Sequence, residues 1–213
     1  MRTRVHTAVL TALSAVCLTV VTASASVSAP AAPAPAGPTA PGFLAAGDLP
    51  PHPSSAWTAG PVTRGVPEEV EVDTCLSMAL GGGGNASWYR TFRTELDTGA
   101  RQVSVVLPNE TLAKGRYERI EKDIRSCAAR IEQKFPDIQA EFKDYGAVRV
   151  EEGAHVFGLH TVASWGATDV RLLAVGRDGR TVTVVDWGQL GSFKDAPVKA
   201  FKKTTVTAVN KLR

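Results

Sequence analysis

Residues 138–188 read IQAEFKDYGAVRVEEGAHVFGLHTVASWGATDVRLLAVGRDGRTVTVVDWG. Apolar and polar residues alternate along this run with period two, which sends successive side chains to opposite faces of a sheet. The pattern predicts strands over 138–145, 147–151, 154–164, 169–176 and 181–187. Asp178-Gly179 between the last two is a tight-hairpin signal. Trp165-Gly166-Ala167 marks another turn. Consecutive strands joined by short turns make an antiparallel sheet.

Immediately upstream the period changes. Leu112, Ile120, Ile124, Cys127, Ile131 and Phe135 fall at helical spacing, with Arg116, Tyr117 and Ala128 filling the stripe. Asn109 is a fair N-cap, and Pro136 closes the helix. Glu118–Lys122 and Glu121–Arg125 are i,i+4 pairs in the favourable orientation. Two strands precede this helix, over 88–94 and 101–107. In the first, Trp88, Arg90 and Phe92 share one face. Pro197 starts a last helix with Val198, Phe201, Thr205, Val209 and Leu212 along one stripe. The expected fold is α+β: an antiparallel sheet with one long and one C-terminal helix packed on one face. The other face is then solvated, or lines a ligand cleft.

The N-terminal half adds a short helix over 75–80, ended by Gly81 to Gly84. Those glycines lack a following Lys-Ser/Thr, so a flexible loop is expected rather than a phosphate loop. Once Cys17 leaves with the leader, two cysteines remain, Cys75 and Cys127. In an exported chain they read as a disulfide, which ties the short helix to the long one. Two free thiols or a metal pair are the alternatives at this point.

Residues 1–25 carry the address. Arg2, Arg4 and His6 precede an apolar run, and Ala23-Ser24-Ala25 offers a small-x-small cleavage site, the order of a secretory signal peptide. The run is too short and too rich in Ala, Thr and Ser for a membrane span, which needs about 20 apolar residues. Cys17 follows Val16 inside the run, so it does not read as a lipid-anchor site. Residues 26–42 are mostly Ala, Pro, Ser, Gly and Thr, the composition of an extended linker. A single domain over 43–213 follows, opened by an apolar latch of Phe43, Leu44 and Leu49. The expected location is extracellular, with no stable membrane span after cleavage.

The chain carries 24 basic and 21 acidic residues, net +3, and removal of Arg2 and Arg4 leaves it near +1. That balance excludes the footprint of a nucleic-acid binder. The last helix carries Lys199, Lys202, Lys203, Lys211 and Arg213, read as a solvated face. No Gly-x-Ser-x-Gly, His-Glu-x-x-His or Ser-x-x-Lys motif is present. His52 lies among prolines, and His155 and His160 are five apart on one strand and point to opposite faces. Acids such as Glu151, Glu152, Asp169, Asp178 and Asp186 are scattered at turns and strand ends. Asn85-Ala86-Ser87 and Asn109-Glu110-Thr111 match the glycosylation pattern. Of the tryptophans Trp57, Trp88, Trp165 and Trp187, several fall near strand ends, where aromatics can wall a ligand site. Trp88, Arg90, His160, Asp186 and Trp187 are the candidate ligand-binding residues; catalytic residues, metal and cofactor are each read as none.

The stretch 43–50 (FLAAGDLP), then Trp57-Thr58-Ala59-Gly60, Cys75 and Trp88-Tyr89-Arg90-Thr91-Phe92 resemble sensor-type domains of secreted proteins from high-GC Gram-positive bacteria. These are similar to the extracellular domain of the PknH kinase. The resemblance runs from about Phe43 to Arg213. It implies one α+β domain with a ligand cleft and no catalysis. This chain departs from it in having no kinase and one possible disulfide.

The expected function is that of a secreted, non-catalytic, sensor-like domain binding an extracellular small molecule or cell-wall component in a cleft. Two other readings stay open: a hydrolase whose carboxylate pair leaves no sequence signature, and an inhibitory or structural module that contacts another secreted protein.

Overall fold

The computed structural model describes residues 39–71, 73–80 and 86–213. The leader, Cys17, all but the last residues of the linker, Gly81 to Gly84 and Asn85 lie outside the described residues.

Among the described residues eight strands form one antiparallel sheet. They are β1 (Thr58–Ala59), β2 (Thr63–Arg64), β3 (Ser87–Arg93), β4 (Gly99–Val106), β5 (Ile138–Val148), β6 (Ala154–Ala163), β7 (Thr168–Asp178) and β8 (Thr181–Leu190). The spatial order is β1-β3-β4-β8-β7-β6-β5, and β2 also pairs with β3. Short helices α1 (Glu68–Glu71) and α2 (Ser77–Leu80) precede β3. Helices α3 (Glu110–Arg125) and α4 (Cys127–Lys134) carry the chain from β4 to the far edge at β5, and α5 (Val198–Asn210) ends the fold. The meander β5–β8 then returns until β8 closes against β4. This is the expected α+β class.

Local chemistry explains the turns. Asp178 pairs with Thr181, so Gly179 and Arg180 form a two-residue loop. Gly179 takes φ +53° and Arg180 stays at negative φ, the type II′ arrangement with glycine first. Gly166 takes φ +92° in the β6–β7 turn. The two strands expected over 138–151 are one strand, β5, with a bulge between Asp144 and Gly146. The extra residue reads as a break in alternation, which is why the sequence pattern splits there.

The single long helix is also corrected. Asn109 caps α3 as expected, its side chain accepting from Leu112 N at 2.9 Å. At Ser126 the helix breaks, with φ −93° and ψ 2°. Ser126 Oγ donates to Lys122 O at 3.0 Å, and the Arg130 guanidinium donates to Asp123 O at 2.7 Å. Side chains thus take carbonyls at the junction. Among the described residues the salt bridge within this helix is Lys114–Glu118; Glu121 turns to His155 and Arg125 to Asp144 instead of to each other. Leu112 and Phe135, placed on the buried stripe by spacing, are exposed because they lie at the two outer ends of the helix pair.

The helices do not share one face. Val103, Val105, Phe157, Leu159, Leu173, Val175, Val182 and Val184 pack under α2, α3 and α4. Their strand neighbours Val156, Leu172, Ala174, Val185 and Trp187 pack on the opposite side with Leu44, Leu49 and the α5 residues Phe201 and Ala208. The long helix therefore covers one face and the C-terminal helix the other. Runs such as Val182 to Val185 are buried on both sides, which a period-two reading cannot show. Gly176 admits α5 closely: a Cβ there would stand 2.3 Å from Val209 Cγ2. Burying Phe201 completely contributes roughly 2–3 kcal/mol. Among the described residues no helix is long and apolar enough to cross a membrane.

Candidate functional site

A cleft of about 810 Å³ opens on the face covered by α2–α4. Its floor is the end of the sheet where β4 and β7 begin and β6 and β8 finish. One wall is α4 with Ile131 and Phe135; another is formed by Glu69, Asp73, Thr74 and Cys75. That second wall is anchored three ways. Cys75 is disulfide-bonded to Cys127 at the start of α4, with Cα atoms 4.9 Å apart. Arg130 donates to Thr74 O at 3.0 Å. Asp73 Oδ1 accepts from the backbone N–H groups of Cys75 and Leu76, at 2.7 and 3.0 Å.

Four charges meet at the base. Arg101 on β4 and Asp186 on β8 are cross-strand partners, and Arg171 on β7 lies diagonal to Asp186. Arg101 Nε donates to Asp186 Oδ2 at 2.8 Å; Arg171 donates to both Asp186 oxygens at 3.1 and 2.8 Å. Asp73 Oδ2 lies 3.0 Å from Arg171 Nη1 and 3.4 Å from Arg101 Nη2. Burial by itself would raise the Asp186 carboxyl; Arg171 and Arg101 outweigh it and hold the group below the usual carboxylate range. Burial likewise opposes the charge on Arg171, and Asp186 and Asp73 overcome it, raising its basicity further. Two cations and two anions are thereby matched.

A second polar cluster stands apart from the cleft. His155 on β6 holds Glu121 of α3 at 3.1 Å through Nδ1 and Asp144 of β5 at 2.6 Å through Nε2. Its ring stacks on Phe157 with centroids 4.4 Å apart, and Arg125 also pairs with Asp144. Burial opposes the Asp144 charge, but His155 and Arg125 hold its carboxyl well below the usual range. Burial and Glu121 push the Tyr117 hydroxyl up. Among the described residues no group of three or more His, Cys, Asp or Glu is arranged to hold a metal ion.

Of the five residues singled out by sequence, Asp186 lines the cleft. Trp88, Arg90, His160 and Trp187 project from the other face, as their cross-strand partners Ser104, Gln102, Val170 and Ala100 show. Trp88 is buried under the Arg64 guanidinium, 5.6 Å from its ring centroid. Arg90 donates to Gly60 O at 2.8 Å and Leu44 O at 2.9 Å, tying the N-terminal strap to the sheet. His160 packs on Phe193, with centroids 5.5 Å apart, and its Nε2 is buried without a partner among the described residues. Trp187 fills the α5-side core. His155 and His160 do face opposite ways. Sequence reasoning missed Asp73, Arg101 and Arg171. Arg101 shares its strand face with Val103 and Val105, Arg171 with Leu173 and Val175, and Asp186 with Val182 and Val184; three charged interruptions of apolar faces on separate strands were the available signal.

The fold and the cleft thus define an α+β domain with a walled cleft on one sheet face. No family model matches the chain. No curated protein matches it either. Among solved structures, the chain is similar to the extracellular domain of PknH from Mycobacterium tuberculosis, with 14% identity and a TM-score of 0.43. That similarity covers 74% of this chain and 87% of the other.

Proposed function

We propose that this chain is an exported, non-catalytic, sensor-like binding domain whose extracellular ligand, a small molecule or cell-wall fragment, occupies the cleft over β4, β6, β7 and β8. The observation that carries the reading is the cleft itself: about 810 Å³, with apolar side chains on its walls and a few convergent polar groups at its base. Small-molecule sites have that size and that balance. The leader sequence and the Cys75–Cys127 disulfide both support an oxidising, extracellular setting. Asp186, held below the usual carboxylate range by two guanidiniums, is unsuited to act as a general acid near neutral pH.

The test is a thermal-shift screen of the exported chain against wall fragments, lipids and metabolites, repeated with Thr161→Trp, which places an indole in the cleft. A ligand at 100 times its Kd stabilises by about 2.7 kcal/mol. The expected result is a shift in the wild type that the variant loses. No shift with any compound, or one that Thr161→Trp leaves intact, refutes the assignment.

A further inference from the structure

The cleft proposed above is the starting point, and the inference rests on that reading; it concerns the charge and shape of what the cleft takes. The lining holds two cationic side chains, Arg101 and Arg171, against five carboxylates. Asp73 and Asp186 neutralise the two arginines at the base. The other three, Glu69, Asp97 and Asp169, stand exposed and form no ion pair among the described residues. No lysine lines the cleft. This acidity is local, because the chain as a whole carries +3. An anion reaching the base would meet guanidiniums already paired with Asp186 and Asp73. A cation at the mouth meets three exposed carboxylates; Lys134 Nζ stands over the ring of Phe135, another lining residue, 5.1 Å from its centroid.

The surroundings are apolar as well. Among the described residues, four of the six large exposed apolar residues lie at this one end of the sheet. Leu96 (56% exposed) is at the tip of the β3–β4 hairpin and Phe135 (40%) follows α4. Trp165 (70%) is in the β6–β7 turn, and Leu190 (56%) ends β8. Phe135 and Leu190 themselves line the cleft. Apolar surface concentrated around a recess marks a binding site.

We propose that the ligand is an amphiphilic cation, an ammonium or guanidinium group on an apolar body. The charged head sits among Glu69, Asp97 and Asp169, and the body lies against Ile131, Phe135 and Leu190.

Calorimetric titration of the full chain with octylammonium, octanol and octanoate varies the head charge on one apolar body. Octylammonium is expected to bind at least about tenfold tighter than octanoate at low salt, with the preference shrinking at about 0.5 M salt. The variant Glu69→Gln/Asp97→Asn/Asp169→Asn changes exposed groups only. It is expected to keep the wild-type circular dichroism spectrum and lose the preference. A free amine and a basic peptide present the same chemistry. A Leu-Lys-Leu peptide, blocked at both ends, separates them: tighter binding than octylammonium assigns a peptide, weaker binding a free amine. Octanoate or octanol binding as tightly as octylammonium, or a triple variant that keeps the preference, overturns the cation assignment and leaves the cleft standing as a ligand site. If none of the three alkyl probes binds at millimolar concentration, the inference falls, and the cleft reading is decided separately by the thermal-shift screen with Thr161→Trp.

Discussion

Asp186→Asn isolates the charge cluster beneath the cleft. The substitution keeps the side-chain shape but removes the carboxylate that both Arg101 and Arg171 address, at 2.7 and 2.8 Å for the closest contacts. Asp73 then has to serve two guanidiniums alone, from 3.0 and 3.4 Å. Removing one partner of a fully buried ion pair costs about 3–5 kcal/mol. The arginine side chains retain 19% and 23% of their exposure, so water relieves part of the penalty, and the lower end applies, about 3 kcal/mol. Urea unfolding should show a lower midpoint with an unchanged slope. The melting temperature should fall by about 6–12 °C for a domain of this size. Replacing paired charges together avoids the stranded cation, so Arg171→Met/Asp186→Leu, which leaves Arg101 with Asp73, should recover most of the loss. The pH dependence has a definite sign. The folded Asp186 carboxyl lies below its unfolded value, so its contribution is complete above the ordinary carboxylate range and is lost as pH falls through the folded value. The wild type should lose its advantage over Asp186→Asn in acid. A neutral-pH loss under about 0.5 kcal/mol, the range of ordinary surface changes, would refute the claim that this cluster is buried and coupled. So would a double variant no more stable than the single one.

Three further outcomes follow from the fold. Replacing Cys75 and Cys127 together with alanine opens a loop set by their separation of 52 residues and should cost about 4 kcal/mol in the chain-entropy model, read by urea unfolding. Exported material should show the bond by mass spectrometry with and without reductant. Gly176→Ala should destabilise by about 1–3 kcal/mol because its Cβ meets Val209 Cγ2 at 2.3 Å, and Val209→Ala in the same chain should restore part of that; additive losses would contradict α5 packing on this face. Asp144→Asn should flatten the fall in stability below about pH 4, since the wild-type carboxyl is depressed and its contribution vanishes as pH drops; identical acid limbs in urea titrations from pH 2 to 6 would count against the His155–Asp144–Arg125 cluster.

The elements were legible because periodicity reports local structure. Period two around Val156 and Leu172 marks strands, helical spacing from Ile120 to Ile131 marks α3 and α4, and Asp178-Gly179 locates a hairpin. What periodicity does not carry is the face to which an element docks. Leu172 and Leu173 are equally apolar, yet one packs against α5 and the other against α3. Likewise Trp187 and Asp186, adjacent in sequence, were paired as candidate site residues, although neighbours on a strand necessarily point apart. Arg90 carried no sign that its guanidinium would be used on the carbonyls of Gly60 and Leu44, because both acceptors are backbone and distant in sequence.

The cleft itself traces to the one residue in the helical stripe that periodicity passes over. Up to Arg125 the helix runs over β7 and β8; beyond Ser126, α4 packs on β5 at the sheet edge. Had the helix continued straight, it would have stayed over the central strands, and charges at 101, 171 and 186 beneath it would have needed an apolar helix face as their cover. Because the helix turns aside, the ends of β4, β7 and β8 are left open, and arginine and aspartate pair there at the bottom of a recess. The disulfide completes the geometry. Cys127 is the first residue after the break, so its bond to Cys75 fixes the segment carrying Asp73 against the start of α4. The helix break, the covalent staple and the interrupted strands are thus one arrangement.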